Sequence, residues 1–244
     1  MSRSPSLRGL VPAAMAAAAL LAATACSGPQ SALDPAGPAA ASIATIWWWM
    51  LGGASVVWAL VLALLVRALL RGENTRALAR PQRLIVAGGL VLPTVVLAAL
   101  LVFGSVQSSR ITGSGSEVGL VVEVSARQWQ WTFHYLDANG AVTATTVDAL
   151  VLPRGRMVEF RVGSQDVIHS FWIPRLGGKV DAIPGRVNRI RLRADRAGAI
   201  RGQCAEFCGL EHAHMAFDVQ VLDEAAWAAW QAAQASDRGA GASR

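Results

Sequence analysis

Two cysteines, two histidines and a methionine crowd one short stretch, Cys204-Ala-Glu206-Phe-Cys208-Gly-Leu-Glu-His212-Ala-His214-Met215. Thiolate, imidazole and thioether together suit copper better than zinc, because soft donors select copper and a Met ligand marks copper sites that carry electrons. A single blue-copper ion needs only one Cys. Two thiolates separated by three residues can instead bridge two copper ions. Such a pair shares one electron between both metals, so each metal–ligand bond changes little on redox change, which favours electron transfer over bond-making. The second imidazole must come from elsewhere, and Asp166-Val-Ile-His169-Ser-Phe-Trp-Ile-Pro174 supplies one within a strand-like run. Plainer chemistry stays open for the cysteine pair. In an oxidising compartment the two could form a disulfide, or with His they could hold zinc. Cys204, Cys208 and His212 at successive i+4 spacing could also line one side of a helix. His214, two residues from His212, reads as a solvated neighbour, and His134 as a surface strand residue.

The elements that must position these donors read as a mainly β domain. Short β-prone runs recur at 120–124, 128–135, 141–147, 157–162, 167–173, 187–192 and 215–221, separated by turn residues such as Asp137-Ala-Asn-Gly140 and Pro184-Gly185. Short strands at this spacing predict a sandwich or barrel over 105–222. Residues 223–235 predict a short amphipathic helix at the head of a 223–244 tail.

The rest of the chain is of another kind. Hydrophobic residues make up 53% and charged residues 16% of the 244 residues, which points away from an ordinary cytosolic enzyme and toward a membrane segment. Residues 1–25 read as an export signal, with Arg3 and Arg8 ahead of an uncharged Ala/Leu run. Ala23-Thr24-Ala25-Cys26 resembles a lipoprotein cleavage site, with Ala23 where Leu is usual; simple cleavage and retention are the other readings. Residues 26–42 are rich in Ser, Pro, Gly and Ala and read as a flexible tether. Uncharged apolar runs at 43–66 and 84–104 each exceed the roughly 20 residues needed to cross a bilayer. They predict a transmembrane hairpin over 43–104. Trp47, Trp48 and Trp49 stand where an interfacial aromatic belt belongs, and Arg67, Arg71, Arg76, Arg80 and Arg83 mark the connection as cytoplasmic. The domain at 105–244 then lies outside.

Charge location removes one function class. Residues 1–104 carry seven Arg against Asp34 and Glu73, whereas residues 105–244 carry fifteen basic against fourteen acidic residues. The basicity belongs to the apolar half, not to a soluble face, so nucleic-acid binding is set aside.

Three motifs carry a family resemblance: Gln128-Trp129-Gln130-Trp131; His169-Ser170 with Asp181-Ala-Ile-Pro-Gly-Arg186; and Cys204 through Met215. From residue 43 onward the chain resembles subunit II of the haem-copper cytochrome c oxidases. The resemblance implies a two-helix transmembrane hairpin followed by a cupredoxin-like Greek-key β-sandwich or barrel bearing a binuclear copper A centre. It implies that Cys204 and Cys208 bridge two copper ions, with His169 and His212 binding one each. Met215 would be a weak ligand to one copper and the backbone carbonyl of Glu206 would serve the other. The Glu206 side chain would bind Mg²⁺ or Mn²⁺ against subunit I. Trp129 would be the aromatic through which the electron arrives from cytochrome c, although a strand Trp packed in the core is the plainer alternative. Trp129 and Trp131 share strand parity, which does not separate them.

The implied partners are haem-bearing subunit I, subunit III, a cytochrome c donor and membrane lipid, in a bacterial cytoplasmic membrane with the copper domain on the periplasmic side. The oxygen-reducing site would lie outside this chain. Two departures from the family stand out: Val86 occupies the position, seven residues before Pro93, where members often carry a channel Glu, and the outer domain is nearly neutral where the donor is typically basic. A copper-bearing small subunit of a nitric oxide reductase uses the same ligands, and a membrane-tethered copper carrier or sensor is a rival of a different class.

Overall fold

A computed structural model of the chain describes residues 27–71, 81–112, 115 and 117–242. The expected signal at 1–25, Cys26, and the connecting Arg76 and Arg80 lie outside the described residues. Helix α1 spans Pro38–Arg71, about 51 Å at 1.5 Å per residue. Helix α2, Pro81–Val86, leads through a π-helical turn at Ala87–Val91 into α3, Leu92–Thr112. The π turn has a local cause. Pro93 has no N–H, and its ring crowds the carbonyl four residues back. The ladder slips by one residue, with the Leu92 N–H donating to the Ala87 carbonyl, and the Thr94 hydroxyl donates to the Leu90 carbonyl at 2.7 Å. Helices α1 and α3 pack side by side. Leu69, Leu97 and Leu101 point outward. Pro38–Leu70 and Ala87–Ser108 are both long and apolar enough to cross a membrane.

Among the described residues, ten strands form two five-stranded sheets. In the first, β1 (Leu120–Arg127), β2 (Gln130–Leu136), β3 (Val142–Val147), β5 (Met157–Ser164) and β8 (Asn188–Arg193) lie in the order β3-β2-β1-β5-β8. In the second, β4 (Ala149–Pro153), β6 (His169–Trp172), β7 (Val180–Ala182), β9 (Gly198–Cys204) and β10 (Ala216–Leu222) lie in the order β4-β10-β9-β6-β7. β1 with β5, and β4 with β10, pair in parallel, so the sandwich is mixed rather than a plain meander. Alternation sends Trp131, Phe133 and Tyr135 of β2 inward and Thr132 and His134 outward. His134 bonds Thr145 across the strand at 3.0 Å. The core is aromatic. Phe171 stacks on Phe217 at 5.3 Å, and Trp131 meets Phe171 edge-on at 5.8 Å and the His169 ring at 6.1 Å.

Strands β4, β7 and β9 are additions to the expected pattern. The chain steps from one sheet to the other at Asp148, in the left-handed region at φ 52. Its carboxylate accepts the Trp131 N–H at 2.8 Å, and its own N–H donates to the Trp131 carbonyl at 2.9 Å. Asp tolerates that conformation because its side chain bonds locally. Strand β9 is obscured by Gly198 and Gly202, residues depleted in strands. A Cβ on Gly202 would lie 2.1 Å from Phe217 Cζ. Gly202→Ala is therefore expected to overpack the core and cost about 1–3 kcal/mol, read as a lowered midpoint of thermal unfolding.

The segment expected to be a flexible tether is docked instead. Ala36, Ala39 and Ala40 are buried, the Ala36 N–H donates to the Arg175 carbonyl at 2.7 Å, and the Asp195 N–H donates to the Ala36 carbonyl at 2.8 Å. Asp34 pairs with both Arg175 and Arg196 at 2.6 Å. Small residues invite close approach as readily as they permit flexibility. A Cβ on Gly37 would lie 2.1 Å from the Arg193 carbonyl oxygen, so only glycine fits. At the other end, α4 runs Glu224–Ala242, longer than the expected 223–235. Asp223 caps it by accepting the Ala226 N–H at 2.9 Å, and Trp227 and Trp230 pack on Tyr135.

Candidate metal centre

His169 opens β6 and Cys204 closes β9, and these strands are neighbours in register, with Phe171 opposite Cys204. The ligand-bearing segment then leaves the sheet as a loop, not a helix. The Ala205 N–H donates to the Ser170 carbonyl at 2.9 Å, and the Cys204 N–H to the Met215 carbonyl at 2.8 Å, which closes the loop on itself. A single 3₁₀ turn at His212–His214 lies within it. The Gln128 side-chain amide donates to the Cys208 carbonyl at 2.6 Å, tying the loop to the β1–β2 turn.

Five donor side chains converge on two sulfurs. Cys204 Sγ lies 3.8 Å from Cys208 Sγ and 3.9 Å from His169 Nδ1. Cys208 Sγ lies 3.6 Å from His212 Nδ1 and 3.7 Å from Met215 Sδ. The backbone carbonyl of Glu206 sits 3.2 Å from Cys204 Sγ. Ligand atoms of His169, Cys204 and Cys208 all fall within 4.8 Å of one another. His169, Cys204, Cys208 and Met215 are buried, and His212 is half-buried with Phe207 edge-on at 5.7 Å. His214 is exposed and bonds Glu211 instead. The thiols are free, and their separation is well beyond the ~2.05 Å of a disulfide.

The donor set fits a soft cation. Burial, reinforced by neighbouring Cys204, pushes the Cys208 thiol up to about 12, so a thiolate here needs a metal to compensate its charge. The imidazole is pre-turned. His169 Nε2 lies 2.8 Å from Asp166 Oδ1, leaving Nδ1 to the sulfurs. Burial works against the charge of Asp166, but the Gln128 N–H, the His169 ring and the Val167 N–H outweigh it and hold the carboxyl down at about 2. Such a carboxylate behind a ligand His fixes the ring and raises its basicity. Asp166→Ala is expected to weaken copper binding roughly 10–100-fold, measured by competition with a chelator. Unchanged affinity would remove Asp166 from the site.

Asp166, which opens the His169 motif and was given no role in the sequence, therefore backs the imidazole from within the fold. Trp129 is not on a strand with Trp131. It lies in the turn between β1 and β2, half-buried, while Trp131 is fully buried in the core. A Cβ on Gly209 would lie 3.2 Å from Trp129 Cζ2, so the indole covers the residue that follows Cys208. The Glu206 carboxylate is exposed and pairs with Lys179 at 3.3 Å, and Lys179 also reaches Asp181 at 3.2 Å. Hydrogen bonds from Ser170 and Lys179 hold the Asp181 carboxyl below its ordinary value. Sequence reasoning passed over Lys179. Its being the only lysine in the chain was the available signal.

The family described as "Cytochrome C oxidase subunit II, periplasmic domain" matches residues 138–222, which hold every donor above but not Trp129. A cytochrome c oxidase subunit 2 from Cereibacter sphaeroides is 31% identical over 94% of this chain and 92% of its own length. The chain belongs to the cytochrome c oxidase subunit II family. Subunit 2 from Alkalihalophilus pseudofirmus is 37% identical over 57% of the chain; that match spans only 41% of the relative, and one from Rickettsia bellii spans 61% of its relative. Among solved structures, the periplasmic domain of subunit II from Bradyrhizobium japonicum is 28% identical, covering 50% of this chain and 97% of its own, with a TM-score of 0.46. The two five-stranded sheets give the mainly β sandwich expected of a subunit II, behind two helices long and apolar enough to span a membrane.

Proposed function

We propose that this chain is the electron-accepting subunit of a bacterial cytochrome c oxidase, taking electrons from a c-type cytochrome and delivering them to haem in subunit I, where oxygen is reduced. The observation that carries this reading is the convergence of His169, Cys204, Cys208, His212 and Met215 on two thiols 3.8 Å apart. Cys204 and Cys208 would bridge two copper ions, His169 and His212 would bind one each, and Met215 and the Glu206 carbonyl would be the weak ligands. When bound, the copper pair supplies a one-electron relay of low reorganisation.

The chain's own residues do the rest. Asp166 orients His169, the buried strand ends β6 and β9 hold the donors in place, and the aromatic core beneath excludes water. Trp129 is the electron's point of arrival, since its indole covers Gly209 beside Cys208. The Glu206 carboxylate would hold Mg²⁺ or Mn²⁺ against subunit I, the divalent ion replacing the Lys179 ammonium that it now meets. Subunit III completes the assembly. The hairpin anchors the chain in the cytoplasmic membrane with the copper domain on the periplasmic side. The test is a copper-loaded EPR spectrum with metal counted per chain. Two coppers and hyperfine splitting from two equivalent nuclei are expected; a single-copper or zinc site would overturn the reading.

A further inference from the structure

The strands that carry His169 and Cys204 are joined more thinly than the rest of their sheet. Only two residue pairs link β6 to β9, Phe171 opposite Cys204 and Trp172 opposite Gln203. One further bond runs from the Ala205 N–H to the Ser170 carbonyl. On its other side β9 pairs with β10 over six positions. Beyond Trp172, β6 has ended, and the open side of β9 meets the docked N-terminal segment instead. The Cys204 N–H turns toward β10, donating to the Met215 carbonyl, so alternation turns the Arg201 N–H the other way. Its acceptor is the Pro29 carbonyl at 3.0 Å. The Gln30 side-chain amide then donates to the Gln203 side-chain carbonyl at 3.0 Å, one residue from Cys204. The same segment grips the chain that leaves β6. Asp34 pairs with the buried Arg175 guanidinium at 2.6 Å, and the Ala36 N–H donates to the Arg175 carbonyl at 2.7 Å. The hydrogen bond from Arg196, helped by Arg175, outweighs partial burial and holds the Asp34 carboxyl below its ordinary value.

We propose that residues 29–36 position the metal donors His169 and Cys204 by providing the bonds that the short β6–β9 join lacks, with Gln30 and Asp34 as the positioning side chains. This rests on the copper reading above and deepens it. A metal needs its donors at a fixed separation, and Cys204 Sγ and His169 Nδ1 stand 3.9 Å apart on two different strands. Strands held by so few bonds open locally at low cost. A brace that holds Arg175 after β6 and Gln203 within β9 removes that freedom from the side away from the donors. Asp34 matters most. With its carboxylate removed, the buried Arg175 guanidinium keeps only the backbone carbonyl of residue 34 at 2.7 Å, and a buried charge without its partner loosens what surrounds it.

The experiment is amide hydrogen exchange on the metal-free, full-length chain in detergent, read by mass spectrometry, beside copper loss to excess chelator from the loaded chain. In Asp34→Ala, exchange is expected to quicken ~10-fold or more over 169–172 and 203–205, while 122–126 and 131–135 stay within about two-fold. Copper loss is expected to quicken by ~10-fold, the lower end of what the outer partners of metal ligands contribute. Gln30→Ala, which keeps the ion pair, is expected to give the same local pattern at smaller amplitude, and it carries the test if Asp34→Ala does not fold. Equal quickening across both sheets would overturn the proposal, since the segment would then only stabilise the domain as a whole. So would unchanged exchange at 203–205, or local quickening with copper loss unaltered. If the local quickening appears but the unsubstituted chain takes up no copper, the positioning stands and the copper reading falls.

Discussion

A Cys208→Ser chain is expected to lose the copper pair outright, and with it cytochrome oxidation by the assembled complex. Cys208 Sγ is the meeting point of the site, within 3.8 Å of Cys204 Sγ, His212 Nδ1 and Met215 Sδ. A serine hydroxyl is harder and far less acidic than a thiol, and it cannot bridge two soft ions. Changes one shell out from a metal already cost roughly 10–100-fold in affinity or activity, which makes ~100-fold the floor for losing this donor. The fold is expected to survive, because serine is close in size and Cys208 lies in the loop between β9 and β10, outside the strands. Metal counting and EPR on the purified variant, beside turnover, make the check. Two coppers per chain retained in Cys208→Ser would exclude Cys208 as a bridge.

Trp129→Ala is expected to separate electron arrival from metal binding. The indole lies outside the strands, over Gly209, and its Nε1 is buried without a hydrogen-bond partner. An interface Trp of this kind loses 2 kcal/mol or more when truncated, about 30-fold in docking, and loss of the ring as a path for the electron adds to that. The expected variant binds copper with an unchanged spectrum yet reduces the centre at least ~30-fold more slowly from a cytochrome donor. A small-molecule reductant that reaches the metal directly should restore the rate. Equal slowing with both reductants would mean that Trp129 supports the copper loop and is not the route of the electron.

The gathering of the donor side chains was legible in the sequence wherever their spacing was local. Cys204, Cys208, His212 and Met215 fall within twelve residues, and His169 lies on an apolar run that reads as a strand. What escaped was set by contacts between distant segments. The loop's closure by a bond from Cys204 to Met215, and its tie to Gln128, arise from neighbouring elements that no periodicity announces. β9 hid behind two glycines: Phe217 fills the space a side chain on Gly202 would take, and Gly198 sits at φ 126, where glycine is favoured. The parity argument failed for Trp129 because a turn interrupts the expected run at 128–135, and parity applies only along an unbroken strand. The docked segment at 27–42 was misread for a compositional reason: alanine, glycine and proline signal both a linker and a close backbone contact.

That docked segment also fixes an order of events during synthesis. Its partners lie far along the chain: Gln30 meets Gln203, and Asp34 meets Arg175 and Arg196, across 173, 141 and 162 residues. The whole membrane hairpin lies between them. With the hairpin in the membrane as proposed, residues 29–40 reach their side of the bilayer first and wait, while the hairpin inserts and most of the sandwich is still to be translocated. Only when β9 has followed can the clasp close. The closed clasp requires both flanks of the hairpin on one face of the membrane, so a chain inserted with a single crossing has no means of forming it.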